Sequence, residues 1–259
     1  MTAAPIVRRI GWRGVAVELH APEAVWTALA PHLPAFYDAE GEVVATGHAS
    51  CEQDWLTVEL PEQLSIFGAL DDETCRAVSS RLELLVCTHV PDRIAVHAGV
   101  VAVRDRAIVL PGSSMAGKST LVAALLELGA TYFSDEFALL DDQGLVWPYP
   151  RPLTLRGADG RARSLPSDAA DVGGPPVPLG LVADLHFSPE GWLVDEVSAA
   201  HGVLALLKNA PAAQRDPKRA MACATAAVAH EPLVLEGARD DAAATAQRLL
   251  DAVDAAESG

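Results

Sequence analysis

The chain has little that would tie it to nucleic acid, to a membrane or to an oxidising compartment. Lys and Arg number 19 against 35 Asp and Glu, a formal net charge of −16 over 259 residues. Phosphate backbones attract Lys/Arg-rich surfaces, and no basic cluster here is longer than Arg8-Arg9. Nucleic acid is therefore not expected as a partner, and the charge reads as that of a soluble protein kept apart by self-repulsion. No run approaches the ~18 apolar residues of a membrane span. Arg8, Arg9 and Arg13 precede no apolar core, so no secretory signal is expected. The four cysteines, Cys51, Cys75, Cys87 and Cys223, show no C-x-x-C spacing, which argues against a zinc site and against a disulfide framework. These absences together point to a cytoplasmic protein that does not engage a membrane. No internal repeat is visible.

What is present has ordinary globular composition, 50% hydrophobic and 21% charged, in a length that suits a core domain with a smaller companion. Residues 1–90 read as a small α+β region. Gly14–His20 alternates like a strand, Pro22–Leu33 looks helical, and Gly41–Ala45 and Trp55–Leu60 are further strands. Asp71-Asp72-Glu73 opens an amphipathic helix through Cys75, Val78, Leu82 and Leu85, with its acidic residues at the positive end of the dipole. Residues 91–259 read as a larger domain of mixed α/β class. Arg93–Val103 and Ala107–Leu110, broken by Arg104-Asp105-Arg106, read as a hairpin.

The second strand of that hairpin delivers the organising motif, Gly112-Ser113-Ser114-Met115-Ala116-Gly117-Lys118-Ser119-Thr120, followed by a helix from Leu121 to Leu128. This is G-x-x-x-x-G-K-S between a strand and a helix, the context in which the pattern signifies a phosphate loop. The glycines let backbone N–H groups close around an anion, and the helix N-terminus adds further donors. Lys118 would neutralise the β- and γ-phosphates of ATP, and the Ser119 hydroxyl would join the shell of Mg²⁺.

Two acidic pairs compete for the next role. Asp141-Asp142 follows an apolar run, but Asp141-Asp142-Gln143-Gly144 is turn chemistry that would leave both carboxylates in solvent. Asp135 and Glu136 interrupt an apolar stretch, where unpaired charge is costly, and are preferred. His97 lies on the first hairpin strand, where a histidine is more often structural than functional. Arg151 and Arg156, in a proline-rich extended segment, have the fork geometry that suits phosphate oxygens. Residues 157–178 read as a long surface loop, Val177–Phe187 as a strand, the chain from Ala199 as helical, Glu231–Glu236 as a last strand and Ala242–Ala255 as a terminal helix.

The succession His97, Gly112–Thr120, Gly129, Ser134-Asp135-Glu136 and Pro150-Arg151-Pro152 resembles the HPr kinase/phosphorylase catalytic domain, and is similar above all to the HPr-kinase-like proteins that accompany peptide-modifying genes. The resemblance covers roughly residues 90–255. It implies a mixed sheet with a central phosphate loop, related to phosphoenolpyruvate carboxykinase, and transfer of the ATP γ-phosphoryl group to a serine of a peptide or protein. A natural-product precursor peptide would be one such acceptor, with residues 1–90 available to recognise it, and a homo-oligomer is implied as well. Asp135 aligns with the aspartate that takes the hydroxyl proton, with Lys118 as catalytic partner and His97 tuning Asp135 by hydrogen bonding. Ser119 and Glu136 then hold Mg²⁺, while Gly112 to Thr120, Arg151 and Arg156 bind the nucleotide. The family has Asp-Asp where this chain has Asp135-Glu136. Its Glu-x-Arg-Gly appears here as Thr154-Leu155-Arg156-Gly157, without a carboxylate. A small-molecule kinase, an ATPase module without an acceptor and a catalytically silent peptide binder are the alternatives.

Overall fold

A computed structural model describes residues 4–34, 37–112, 116–149, 151, 153–156, 162–164 and 174–258. Its contacts divide the chain into two compact units, Met1–Pro91 and Asp92–Gly259. Both are mixed α/β, and among the described residues there are six α-helices.

The first unit is a five-stranded mixed sheet covered by two helices. Its elements are β1 (Ile6–Trp12), β2 (Val15–Ala21), α1 (Glu23–Leu29), β3 (Glu42–Glu52), β4 (Trp55–Glu59), β5 (Ile66–Ala69) and α2 (Asp72–His89). The strands lie in sequence order, with β2 and β3 parallel and the other neighbours antiparallel. Val17 and Leu19 of β2 and Leu56 and Val58 of β4 pack against Trp26 and Leu29 of α1 and Leu82 and Leu85 of α2. That face is why α2 forms: its apolar residues recur at three and four, and the Asp71 side chain caps it by accepting from the Thr74 amide at 2.9 Å, a contact worth about 1 kcal/mol. Strands β1 and β5 were not expected. The first is obscured in the sequence by Arg8 and Arg9, both solvent-exposed on an edge strand, and the second is only four residues long.

The second unit is built on an eight-stranded mixed sheet. It contains β6 (Ile94–Val103), β7 (Arg106–Pro111), α3 (Lys118–Glu127), β8 (Thr131–Ser134), β9 (Phe137–Leu140), β10 (Leu145–Trp147), β11 (Thr154–Arg156), β12 (Ala162–Ser164), β13 (Val177–Phe187), β14 (Leu193–Glu196), α4 (Ala199–Lys208), α5 (Pro217–Val228), β15 (Leu233–Arg239) and α6 (Ala242–Ser258). The order is β10-β9-β6-β7-β13-β15-β14, with β8 also on β6. Strands β7, β13 and β15 are mutually parallel and form the centre. Helices cover both faces, so the central strands read as nearly continuous apolar runs rather than alternating ones. Val96, Val109, Val182 and Val234 meet α4 and α5 on one side. Ile108, Leu110, Leu181 and Leu235 meet α3 and α6 on the other.

Three local differences from the sequence reading bear on the site. Helix α3 begins at Lys118 rather than Leu121, so Lys118 and Ser119 occupy its first turn. Ala162–Ser164 pairs with Thr154–Arg156 as a small hairpin inside what reads as loop; residues 165–173 lie outside the described ones. The third concerns β8 and β9. Both pair with β6, β8 at Val100–Ala102 and β9 at Ile94–His97, so together they form one strand line interrupted by a bend at Asp135-Glu136. No helix among the described residues is long and apolar enough to cross a membrane.

Candidate functional site

The bend has a physical cause. The Ser134 hydroxyl accepts from the amides of Glu136 and Phe137 at 3.1 and 3.0 Å, a side-chain turn that competes with the strand ladder. The Glu136 carbonyl still accepts from the Ala98 amide at 3.0 Å. Two carboxylates are thereby held opposite the middle of β6, at Ala98-Gly99, beside the point where β7 runs into Gly112. There the Gly112 amide donates to the His97 carbonyl at 3.3 Å, which ties the start of the glycine loop to the histidine strand.

Gly117 enters α3 in a left-handed conformation, φ +79°, which favours glycine. A Cβ there would also collide with the Arg239 guanidinium. Lys118 follows as the first helical residue and is buried; its Nζ donates to the Gly112 carbonyl at 2.9 Å. Burial pushes this ammonium below the ordinary lysine range, against the pull of the Glu136 and Asp135 charges. Ser119 Oγ donates to Asp135 Oδ2 at 3.0 Å, spanning sixteen positions of sequence. Thr120 is exposed on the same turn. Ser113, Ser114 and Met115 lie outside the described residues, as does the Arg156 side chain.

Asp135 is only 4% exposed. Its second oxygen accepts from the Tyr132 hydroxyl at 3.0 Å. Burial, and then the Asp135 charge, push the Tyr132 phenol up, so it remains a donor at neutral pH. Glu136 is more open. It lies 3.3 Å from His97 Nε2, and its other oxygen lies 3.6 Å from Arg151 Nη1. Burial pushes its carboxyl up, but the hydrogen bond from His97 and the charges of Arg151, His97 and Lys118 outweigh this, and the net shift is downward.

These contacts correct one expected pairing and add another: His97 partners Glu136, not Asp135, and the Ser119 hydroxyl, expected to share Mg²⁺ with Glu136, bonds Asp135. The bend explains both: successive residues point to opposite sides, Asp135 toward Ser119 of α3 and Glu136 toward His97 of β6. Arg151 approaches both carboxylates, its Nε 4.0 Å from Asp135, where phosphate contact was expected. It is brought there by Tyr149, which is fully buried, packs edge-on against Phe137 and accepts the Arg151 amide through its carbonyl at 2.8 Å. Asp141 does not face solvent either. It is 9% exposed, and its carboxylate accepts from the amides of Gln143 and Leu145 and from the Trp147 indole.

Two participants escape a reading of the sequence. Tyr132 looks like a core aromatic, and only its spacing of three from Asp135 hints otherwise. Arg239, at the end of β15, carries no local signal at all. It is 5% exposed, with Nη2 3.5 Å from the Ala116 carbonyl and Nη1 3.0 Å from the Asp240 carbonyl. Burial pushes its guanidinium down from the ordinary arginine value, with Asp240 and Asp241 opposing. A buried guanidinium placed against a glycine loop is a strong anion donor. A wider cleft of about 500 Å³ opens between α4, β13 and β15, lined in part by Asp184, Lys208 and Glu236; none of the side chains above faces it.

Chemically, the set provides a helix N-terminus and two cations for an anion, a hydroxyl and carboxylate that can share a hard cation, and a carboxylate–imidazole pair that can take a proton. No group of three His, Cys, Asp or Glu side chains suited to a metal ion exists among the described residues. Compared with models of protein families, with curated proteins and with solved structures, the chain matches none.

Proposed function

We propose that the second unit is an Mg-ATP-dependent kinase with a phosphate loop of the HPr-kinase type, transferring the γ-phosphoryl group to an alcohol, foremost a serine hydroxyl of a peptide or protein. One observation carries this reading: the 3.0 Å contact between Ser119 Oγ and Asp135 Oδ2. A serine that follows the loop lysine and bonds an aspartate from a neighbouring strand is the pair that shares Mg²⁺ in phosphate-loop enzymes.

The roles of the two carboxylates follow from their surroundings. Asp135, buried and bonded to Ser119, belongs to the metal side. Mg²⁺ held by Ser119 and Asp135 would neutralise charge on the phosphates. Glu136, more open and backed by His97, belongs to the acceptor side. In transfer, the bond from the γ-phosphorus to the β–γ bridging oxygen breaks as the bond to the acceptor oxygen forms. The acceptor proton passes to Glu136, and ADP leaves with the bridging oxygen. This exchanges the assignments that the family resemblance implies, and the reason is geometric: the base must be reachable by an acceptor, and Asp135 is not. Lys118 and the loop amides hold the polyphosphate. Arg151 keeps the two carboxylates apart and in place, and lies close enough to offset charge building on the transferred group.

The test is incubation of the full chain with γ-labelled ATP and serine-containing peptides, with mass spectrometry for added phosphate. Label on a serine, lost in Lys118→Ala, is expected. ADP and inorganic phosphate without labelled acceptor would favour a partner-driven ATPase instead. Absence of any nucleotide turnover would sink both.

A further inference from the structure

The carboxylate flank of the loop is occupied. Asp135, Glu136, His97 and Arg151 gather at the bend that follows β8, opposite the middle of β6, and in the proposed reaction the transferred end of the polyphosphate lies beside them. The rest of a nucleotide then has to leave on the other flank, over β13 and β15. What stands there is Arg239, and beneath it Phe187. The two are direct partners in the parallel β13–β15 register, and the guanidinium carbon lies 5.8 Å from the phenyl centroid.

Phe187 is otherwise hard to explain. Ala183, Leu185 and Phe187 alternate onto the face that carries α3 and α6. Ala183 and Leu185 are buried there and border the glycine loop together with Gly117 and Lys118. Phe187, next in the row, is 62% exposed. An exposed phenylalanine alone is unremarkable. This one has one face against a buried cation and the other open to water, and a single guanidinium separates it from the backbone of Ala116 and Gly117. Two of the five Arg239 donors go to backbone carbonyls, at 3.0 and 3.5 Å, which fixes the guanidinium between loop and ring. A nucleotide has that same layout, charged groups at one end and a flat aromatic base a short sugar away.

Resting on the nucleotide reading above, we infer that Phe187, held by Arg239, is the platform on which the base of the bound nucleotide stacks. Aromatic stacking of this kind is tolerant of base identity. The subsite would therefore raise affinity for nucleoside triphosphates in general rather than select one sharply.

The experiment compares equilibrium binding of ATP and of inorganic tripolyphosphate, with Mg²⁺, to the full native chain, Phe187→Ala and Phe187→Trp. Tripolyphosphate carries the charges without a base. Loss of roughly tenfold in ATP affinity is expected for Phe187→Ala, with tripolyphosphate unchanged and ATP affinity restored in Phe187→Trp. Because the ring is mostly in solvent, the variant should fold like the native chain. An unchanged ratio of the two affinities, whether both fall together or neither moves, overturns the platform. A native chain that binds tripolyphosphate but gains nothing from the base overturns it as well. A native chain that binds neither ligand removes the nucleotide reading itself.

Discussion

Strand β9 is four residues long and has an acidic pair at each end, and the two ends use their carboxylates differently. Asp141 is satisfied entirely within its own turn, by two amides and an indole no more than six residues away. Its neighbour Asp142 is exposed. Asp135 is satisfied by two hydroxyls, one of them from a helix sixteen residues upstream, with a guanidinium at 4.0 Å. Glu136 is held by His97 and Arg151, from β6 and from the segment after β10. Burial does not separate these cases, since both first aspartates are buried. The partners do. A carboxylate that its own backbone consumes is part of the fold, whereas one held by hydroxyls and cations gathered from distant elements has partners that a ligand can displace.

The strongest way to break this contrast is to neutralise each member of the first pair. Glu136→Gln is expected to lower phosphoryl transfer by roughly 10²–10⁴-fold, the usual contribution of a positioned base, with ATP affinity and Mg²⁺ requirement near native. Asp135→Asn is expected to lower turnover as severely and also to raise the Mg²⁺ concentration needed for half-maximal rate. Steady-state rates against Mg²⁺ decide it. If Glu136→Gln moves the Mg²⁺ requirement and Asp135→Asn does not, the two roles are the reverse of those assigned here.

Much of the second unit is legible in the chain because its signals are local. The β-branched run of β6, the polar break before β7, the glycine pattern and the Asp-Asp-Gln-Gly turn each act within a few residues. The turn at Asp141 is legible, but not the burial of its carboxylate, which depends on the Trp147 indole closing over it. The side to which Asp135 and Glu136 each point is not legible, because it depends on the Ser134 hydroxyl drawing the Glu136 and Phe137 amides out of the ladder. Arg239 is opaque for a different reason. It reaches Ala116 across 123 positions of sequence, through a parallel register that no local pattern encodes. In the first unit, β1 and β5 escape notice because edge strands carry outward charge or are too short for a period to show.

The second acidic pair gives a smaller effect of another kind. Asp141→Ala would remove the acceptor from two amides and the Trp147 indole in a mostly buried turn. Leaving such groups without it costs about 1–3 kcal/mol, read as a lower denaturant midpoint. Transfer rate per folded molecule is expected to stay native. Asp142→Ala, at an exposed position, is expected to change stability by less than about 0.5 kcal/mol. If Asp141→Ala abolished transfer in protein shown to be folded, the division between the two ends of β9 would fail.

The smallest effect concerns pH. The folded state lowers the Glu136 pKa below its ordinary 4.5, the His97 hydrogen bond and the Arg151 and His97 charges overcoming burial. A carboxyl with a depressed folded pKa contributes stability that is fully present above the unfolded value and is lost as pH falls through the folded one. Gln mimics the protonated form. Native protein should therefore exceed Glu136→Gln in stability above the ordinary carboxyl range, and the margin should close as pH falls below 4.5. Denaturant midpoints for the two proteins along that series test it. A margin that persists unchanged into strong acid would mean that Glu136 is held by shape and hydrogen bonding alone. The electrostatic grip of His97 and Arg151, which distinguishes this end of β9 from the other, would then be absent.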